Sequence, residues 1–307
     1  MDQRMMSDTQ TTVQIDDIRH LLTGMDSSIK LLETNLERIG LNDREYYDAA
    51  QDQTDIQQYY NSVDLSTTDS KTLFRSLNEL LTHTHENQPN YGSSGQHLKT
   101  WVDLHSDGTF RSIYSGKEAD PVSVLKEDQE FLQQQDVTSE GGLPLNIEHV
   151  VPQSYFNKRE PMRGDLHHLF YCEIGCNSYR GNKVYEDFPN FNPERIMTND
   201  STRDHCGMET GGDARTGGEF EPEYGKGFVA RATLYFLMRH GDQIKPEFRS
   251  KFNVQVLLDW HKQFPPNLLY EKHRNQAIFR IQGNRNPFID MPELASKIDF
   301  STFSQFH

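Results

Sequence analysis

The chain has 307 residues, of which 34% are apolar, and it carries a formal net charge of −15. This length allows one large domain or two small ones. No segment approaches the roughly eighteen consecutive apolar residues of a membrane span, so no membrane-spanning helix is expected. Surfaces that bind nucleic acid are expected to be basic, so the negative net charge argues against nucleic-acid binding.

The charge is unevenly distributed along the chain. Residues 1–60 hold about twelve acidic side chains against five basic ones, whereas residues 221–290 hold about eleven basic against seven acidic. The second segment predicts a local basic groove on an acidic body; the alternative is that its arginines form structural ion pairs. The residues expected in the groove are Arg231, Lys262, Lys272, Arg274, Arg280 and Arg285.

Residues 1–58 predict a helical extension. Its apolar residues follow a heptad spacing that is typical of a coiled coil; they are Ile15, Ile18, Leu22, Met25, Ile29, Leu32, Leu36 and Ile39. Residues 15–39 therefore predict a homodimer or a docking site for a partner protein, and the alternative is a helix packed on its own domain. Met1–Gln14 lacks the features of a secretory signal, so we expect a cytoplasmic protein unless a leader has been removed.

The first elements of the main domain are predicted in chain order. Ser70–Thr84 is an amphipathic helix, and Thr109–Tyr114 reads as a strand. Asn146–Val151 predicts a second strand, which ends at Pro152 because proline cannot donate to a ladder. After a polar loop, Leu166–Tyr171 predicts its partner strand.

A helix is predicted from Asn177 to Val184, with Asn177 as its cap and Asn182 in its first turns. Residues 199–218 read as a loop, and helices are expected over residues 225–240, 251–263 and 268–282. Gly283 is expected to end the last of these helices with a positive φ angle.

Polar residues of the two strands and the helix suggest a metal-dependent hydrolytic site. Neighbours on a strand face opposite ways, so Glu148 and His149 can share one site only where the strand ends or bulges. Carboxylate and amide oxygens from Glu148 and Asn182 suit Mg²⁺. An imidazole titrates near neutral pH, so His149 is expected to act as a general base on water.

The three cysteines predict a second candidate site, which would bind a structural metal ion. Cys172, Cys176 and Cys206, with His205, would provide four ligands for a structural zinc ion. The alternatives are a disulfide with one cysteine left over, or three free thiols.

The chain resembles the endonuclease I family of bacterial non-specific nucleases, within the His-Me finger (ββα-metal) superfamily. The matching motifs around the candidate site are Glu148–Ser154 (EHVVPQS), Asp165–Phe170 (DLHHLF) and Asn177–Lys183 (NSYRGNK). Further matches follow in order at Phe220–Pro222, Ala230–Phe236, Leu258–His261, Arg274–Ile278 and Gln282–Phe288. The resemblance extends from about Tyr59 to Phe300.

The resemblance implies roles for individual residues. It implies His149 as general base and Glu148 with Asn182 as ligands of the catalytic metal. His168, together with Asp165, is expected to support the loop between the two strands. Arg163 is expected to contact the scissile phosphate, with Arg159 as its competitor. Further nucleic-acid contacts are expected from Arg180, Arg231 and Arg274.

The predicted fold is α+β, with a ββα-metal finger at about residues 145–190 inside a mainly helical domain, residues 59–307. The residues predict Mg²⁺-dependent hydrolysis of nucleic-acid phosphodiesters. The resemblance implies that the substrate is DNA, often RNA as well, that there is little sequence preference, and that the products carry 5′-phosphates. One alternative is a catalytically weak module that uses the finger as a scaffold to bind nucleic acid or protein. Another is a toxin or defence effector recruited through the N-terminal helix.

Overall fold

The computed structural model describes residues 24–134, 147–189, 191, 206–210 and 218–304, and the helices occupy most of these ranges. The first helix, α1, covers residues 24–41. The next are α2 (Asp43–Tyr46), α3 (Ala49–Tyr59), α4 (Ser70–Thr84), α5 (Tyr91–His97), α6 (Pro121–Gln134) and α7 (Ile174–Arg180). The last are α8 (Lys226–His240), α9 (Pro246–Arg249), α10 (Val254–Gln263), α11 (Tyr270–Gln282) and α12 (Pro287–Asp290).

The strands are short and form small sheets. They are β1 (Phe110–Arg111), β2 (Glu118–Ala119), β3 (Ile147–His149), β4 (Leu169–Tyr171), β5 (Val184–Tyr185), β6 (Gly207–Thr210) and β7 (Glu219–Pro222). β1 pairs with β2 and β3 with β4, both antiparallel. The third sheet has the order β5-β7-β6, with β5 and β7 parallel. The mixture of helices and small sheets agrees with the predicted α+β class.

Helix α8 forms the centre of the protein. It is buried on nearly every face, as expected of a helix surrounded by other elements. It packs against α10, α4 and the turn at residues 166–168. This turn leads directly into β4, so the helical core supports the strand pair that carries the candidate site.

Two elements follow the sequence prediction closely. Helix α4 covers the predicted range, and the side chain of Asp69 caps it by accepting hydrogen bonds from the backbone N–H groups of Lys71 and Thr72. Gly283 ends α11 with a φ angle of +89°. A Cβ atom at Gly283 would lie 2.4 Å from the carbonyl oxygen of Thr84, so both the conformation and the space require glycine.

The apolar heptad residues of the predicted coiled coil pack against other parts of the same chain. Leu32 is completely buried in a cluster with Leu104, Phe110 and other residues of the main domain, and Ile29, Leu36 and Ile39 pack against this cluster. The homodimer prediction is therefore not supported, because the apolar face of α1 is already covered. Ile15, Ile18 and Leu22 lie outside the described residues.

Two further predictions are corrected by the structure. Strand β6 lies inside the range predicted as a loop. Residues 166–168 form a 3-10 turn before β4, so the second strand is shorter than predicted. Across the described ranges, no helix is both long and apolar enough to cross a lipid bilayer.

Candidate active site

The candidate site lies at the end of β3. Glu148 pairs with Phe170 and His149 with Leu169, and His149 is the last residue of the strand. Both side chains are buried, with 2% and 5% of their surfaces exposed. Their position at a strand end is the one that lets neighbouring residues contribute to a single site.

The carboxylate of Glu148 is held by two donors. The hydroxyl of Tyr114 and the Nη1 group of Arg180 both donate to Oε1 at 2.6 Å. Burial raises the pKa of Glu148, while the Arg180 guanidinium and these hydrogen bonds act in the opposite direction. Both of these bonds go to Oε1, so Oε2 is the oxygen that Glu148 can offer to a ligand.

The imidazole of His149 is oriented by a backbone carbonyl. Its Nε2 lies 2.9 Å from the carbonyl oxygen of Arg163. Because a carbonyl oxygen only accepts, Nε2 must carry the proton, which leaves a lone pair on Nδ1 of the neutral ring. Burial, with a contribution from His168, lowers the pKa of His149 well below its usual value, so the ring is neutral at pH 7.

The Arg163 side chain lies beside this imidazole. Its Nε donates to Oε1 of Gln153 at 2.9 Å, and its guanidinium lies 4.8 Å from the ring centre of Tyr91. The Tyr91 ring is in turn 5.0 Å from that of His149. Arg159 instead donates to the carbonyl oxygens of Phe156 and Gln243. The geometry therefore favours Arg163 over Arg159 as the cation beside His149.

His168 and Asp165 hold the loop that carries the Arg163 carbonyl. The Nε2 of His168 lies 2.6 Å from the carbonyl oxygen of Met162, and its ring is 5.4 Å from that of His149. Asp165 Oδ2 accepts from the Nε2 of His240 at 2.9 Å. Both residues thus join the loop to the surrounding structure.

The charge of Asp165 is maintained in a fully buried position. Burial alone would raise the pKa of this carboxyl, but the hydrogen bond from His240 and the nearby imidazoles of His85 and His167 outweigh it. The pKa of Asp165 is consequently well below its usual range. The Tyr235 hydroxyl also donates to Oδ2 at 2.8 Å. An ionised, hydrogen-bonded carboxylate therefore anchors the turn to α8.

Asn182 does not lie on a helix, contrary to the prediction. Helix α7 ends at Arg180, Gly181 caps it with a positive φ angle, and Asn177 lies inside the helix rather than at its start. Asn182 therefore occupies the turn between Arg180 and β5. The backbone carbonyl of Asn182 accepts a hydrogen bond from the hydroxyl of Tyr155 at 3.3 Å.

The three arginines predicted to contact nucleic acid are buried. Arg180 pairs with Glu148, Arg231 with Glu271, and Arg274 with Asp103. Each has at most 2% of its surface exposed, so the prediction that they contact nucleic acid is wrong. Arg285 is also buried and pairs with Asp52 and Asp290. Three arginines that were expected in the basic groove, Arg231, Arg274 and Arg285, are therefore in structural ion pairs instead.

The cysteines form a disulfide rather than the predicted zinc site. Cys176 and Cys206 are bridged, and Cys172 is a buried free thiol. A bridged sulfur cannot also act as a thiolate ligand, so the zinc prediction is wrong for this arrangement. His205, the fourth proposed ligand, lies outside the described residues. The structure matches the alternative of one disulfide with one cysteine left over.

Several residues around the site could not be identified from the sequence. Tyr114 and Tyr185 share a hydrogen bond of 2.7 Å above Glu148, and Tyr91 stands beside His149. His85 and His240 come from distant parts of the chain and meet at Asp165. The contacts are long-range, and isolated tyrosines and histidines give no periodic pattern that could predict them.

Two groups of side chains in this region could bind a metal ion, and their donor atoms determine which metal suits each group. Glu148 offers one carboxylate oxygen beside the Tyr114 hydroxyl, and such an oxygen donor suits a hard ion that keeps most of its waters. His85, Asp165 and His240 form a separate set of nitrogen and oxygen donors, and their ligand atoms lie within 4.8 Å of one another.

Comparisons with known proteins find relatives among nucleases. The sequence profile of the family described as Endonuclease I matches residues 68–293, most of the chain. An extracellular ribonuclease of Bacillus amyloliquefaciens is 29% identical over 270 residues, covering 78% of this chain and 88% of the relative.

Two further relatives align with about half of their own length. An extracellular ribonuclease of Bacillus subtilis (strain 168) is 33% identical over 168 residues, covering 50% of this chain and 53% of the relative. An extracellular deoxyribonuclease of Aeromonas hydrophila is 30% identical over 131 residues, covering 42% and 50%.

The names of these relatives overturn the predicted location. They are extracellular, and another relative from Aeromonas hydrophila is a periplasmic deoxyribonuclease. The prediction of a cytoplasmic protein is therefore wrong. With a profile match over most of its length and the strand-end Glu148-His149 pair in place, the chain belongs to the endonuclease I family of nucleases.

Proposed function

We propose that this nuclease is a metal-dependent endonuclease that hydrolyses DNA and RNA with little sequence preference. The observation that carries the proposal is the neutral imidazole of His149, oriented by the Arg163 carbonyl at the strand end that also bears Glu148. The names of the relatives include both ribonuclease and deoxyribonuclease, which supports a site that does not select the sugar. Arg163 supplies a cation for the phosphate, a group that both nucleic acids share.

The order β3, β4 and α7 supports a ββα-metal finger. The strands are antiparallel, and α7 begins soon after β4 ends. We assign the ion to Oε2 of Glu148 and the side chain of Asn182. One carboxylate oxygen and an amide fit Mg²⁺, which needs few protein ligands. When bound, Mg²⁺ would stabilise charge on the scissile phosphate and on the leaving oxygen.

The residues of the chain perform the remaining steps. His149 takes a proton from water at Nδ1 as the water oxygen attacks phosphorus, because Nε2 is occupied by the Arg163 carbonyl. The bond from phosphorus to the 3′ oxygen breaks, and the leaving oxygen takes a proton from solvent water, which leaves a 5′-phosphate and a 3′-hydroxyl. Arg163 binds the non-bridging oxygens, and its hydrogen bond to Gln153 limits its motion.

We further propose that the protein acts outside the cytoplasm, like the relatives named above. The disulfide between Cys176 and Cys206 supports this location, because disulfides persist in oxidising compartments. An extracellular or periplasmic enzyme would meet nucleic acid released from cells.

The proposal is tested with supercoiled plasmid and a folded RNA as substrates. Each is incubated with the purified protein in Mg²⁺ and in EDTA, and with the Glu148→Gln variant. The exposed Glu127→Gln provides the control for loss of a carboxylate. We expect cleavage of both substrates in Mg²⁺, no cleavage in EDTA, and a loss of at least about 100-fold in Glu148→Gln alone. Cleavage that survives EDTA, or a fully active Glu148→Gln, would contradict the metal site.

A further inference from the structure

A second group of metal-binding side chains lies behind the candidate site. His85 follows α4, Asp165 precedes the 166–168 turn, and His240 is the last residue of α8. All three side chains have no exposed surface. The three segments are far apart in sequence, so their meeting point connects parts of the chain that the local structure alone would not hold together.

The hydrogen bonding of this group is incomplete. Neither ring nitrogen of His85 has a hydrogen-bond partner among the described residues, and Nδ1 of His240 also lacks one. A buried polar atom without a partner destabilises the folded state, because it loses its hydrogen bonds to water on folding. The Nδ1 of His85 instead points toward the Asp165 carboxylate, at 4.0 Å from Oδ2, which is too long for a hydrogen bond. The imidazole thus has a buried nitrogen near a carboxylate oxygen without a hydrogen bond to it.

We propose that His85, Asp165 and His240 bind one transition-metal ion of the zinc class as a structural site, separate from the ion at Glu148. Two imidazole nitrogens and one carboxylate oxygen are the donors that tetrahedral zinc prefers, and they do not suit Mg²⁺. The ion supplies the missing partner of the His85 Nδ1. The nearby Tyr235 hydroxyl, or a water, completes the coordination.

The spacing of the donors is close to that of such a site. Zinc bonds of about 2.0–2.1 Å to nitrogen put tetrahedral ligand atoms about 3.3 Å apart. The observed separations from Asp165 Oδ2 are 2.9 Å to His240 Nε2 and 4.0 Å to His85 Nδ1. Binding therefore requires the His240 contact to open slightly and the His85 ring to approach. The positive charge of Arg239 acts on both imidazoles and opposes the binding of a cation.

The site has a consequence for the catalytic region. Asp165 begins the turn that contains His168, whose ring contacts that of His149. The rings of His168 and Phe236 lie between His149 and His240, with centres 4.6 Å apart. An ion at Asp165 would thus fix α4 and α8 to the turn that supports the base, without touching the substrate.

The test measures metal in the purified full-length protein after gel filtration, by mass spectrometry, and the visible spectrum after Co²⁺ substitution. We expect about one zinc per chain and a tetrahedral Co²⁺ band, both lost in His85→Leu and retained in Glu148→Gln. His261→Leu is the matched control, because His261 is also buried and bonds a backbone carbonyl, but it lies on α10. Retention in Glu148→Gln distinguishes this site from the catalytic ion.

The sign of the stability change in His85→Leu gives an independent result. Without a metal, replacing an unpartnered buried imidazole by leucine should leave stability unchanged or raise it. With a metal, the substitution and a chelator such as 1,10-phenanthroline should each lower the melting temperature by about 5–10 °C, and their effects should not add. No bound metal, no Co²⁺ band and a chelator-insensitive, unchanged or more stable His85→Leu would overturn the proposal, whether or not the protein cleaves nucleic acid.

Discussion

Removal of the disulfide between Cys176 and Cys206 should destabilise the protein by an amount that the structure allows us to calculate. The two cysteines are separated by 30 residues. In the chain-entropy model, closing a loop of that length removes about 12 cal/mol/K of entropy from the unfolded chain, or about 3.6 kcal/mol at 25 °C. Unfolding free energies of proteins are about 5–15 kcal/mol, so the loss is large but compatible with folding.

The assay is urea unfolding of the Cys176→Ala/Cys206→Ala double variant, followed by circular dichroism. Cys172→Ala is the matched control, because it removes an equally buried thiol without opening a bridge. We expect the double variant to lose about 3–4 kcal/mol beyond the loss expected from packing in the control. Thiol titration of the unfolded, unreduced wild-type protein should detect one free thiol of the three.

A zinc site would give a different pattern. Cys172→Ala would then destabilise the protein as strongly as the double variant, and three thiols would titrate once the metal was removed. Either result would refute the disulfide and restore the metal interpretation of the cysteines.

Three further predictions concern the loop, the buried imidazoles and the N-terminal helix. Arg163→Ala should lower kcat by about 100-fold, whereas Arg159→Ala should change it little. Equal losses in the two variants would contradict the proposal that Arg163 contacts the phosphate. Burial lowers the pKa of His167 and His168 from 6.5 to about 4. The unfolded state therefore binds more protons, and urea midpoints should fall as the pH drops from 6.5 toward 4; a flat profile contradicts this. Leu32→Ala should lower the free energy of unfolding by about 2–5 kcal/mol and leave the oligomeric state unchanged in gel filtration. Dissociation of a dimer in this variant would contradict the packing of α1 on its own domain.

Parts of the fold with a strong local pattern could be predicted from the sequence. Helix α4 has regular apolar spacing and an aspartate cap, and Gly283 follows a continuous helical pattern. The strand pair around Glu148 was predicted because a short apolar run ends at Pro152. In each case the deciding interactions lie within a few residues of one another.

Long-range contacts explain what could not be predicted. Arg180 and Arg231 look like surface residues in the sequence, yet each meets a carboxylate 32 or 40 residues away and becomes buried. Charge counts along the chain cannot distinguish such pairs from a basic groove. The heptad pattern of α1 predicts an apolar face, but periodicity does not identify what covers that face. The meeting of His85 with Asp165 has the same cause, since it depends on packing of α4 against α8.

The most direct test of the catalytic role of His149 is the rate at which supercoiled plasmid is nicked in Mg²⁺ by wild-type protein and by His149→Ala. His261→Ala serves as the control for loss of a buried imidazole. If His149 is the base, its variant should lose at least about 100-fold in rate while binding plasmid and unfolding like the wild type, and the control should retain its rate. A folded His149→Ala protein that nicks plasmid at the wild-type rate would contradict the assignment of the base.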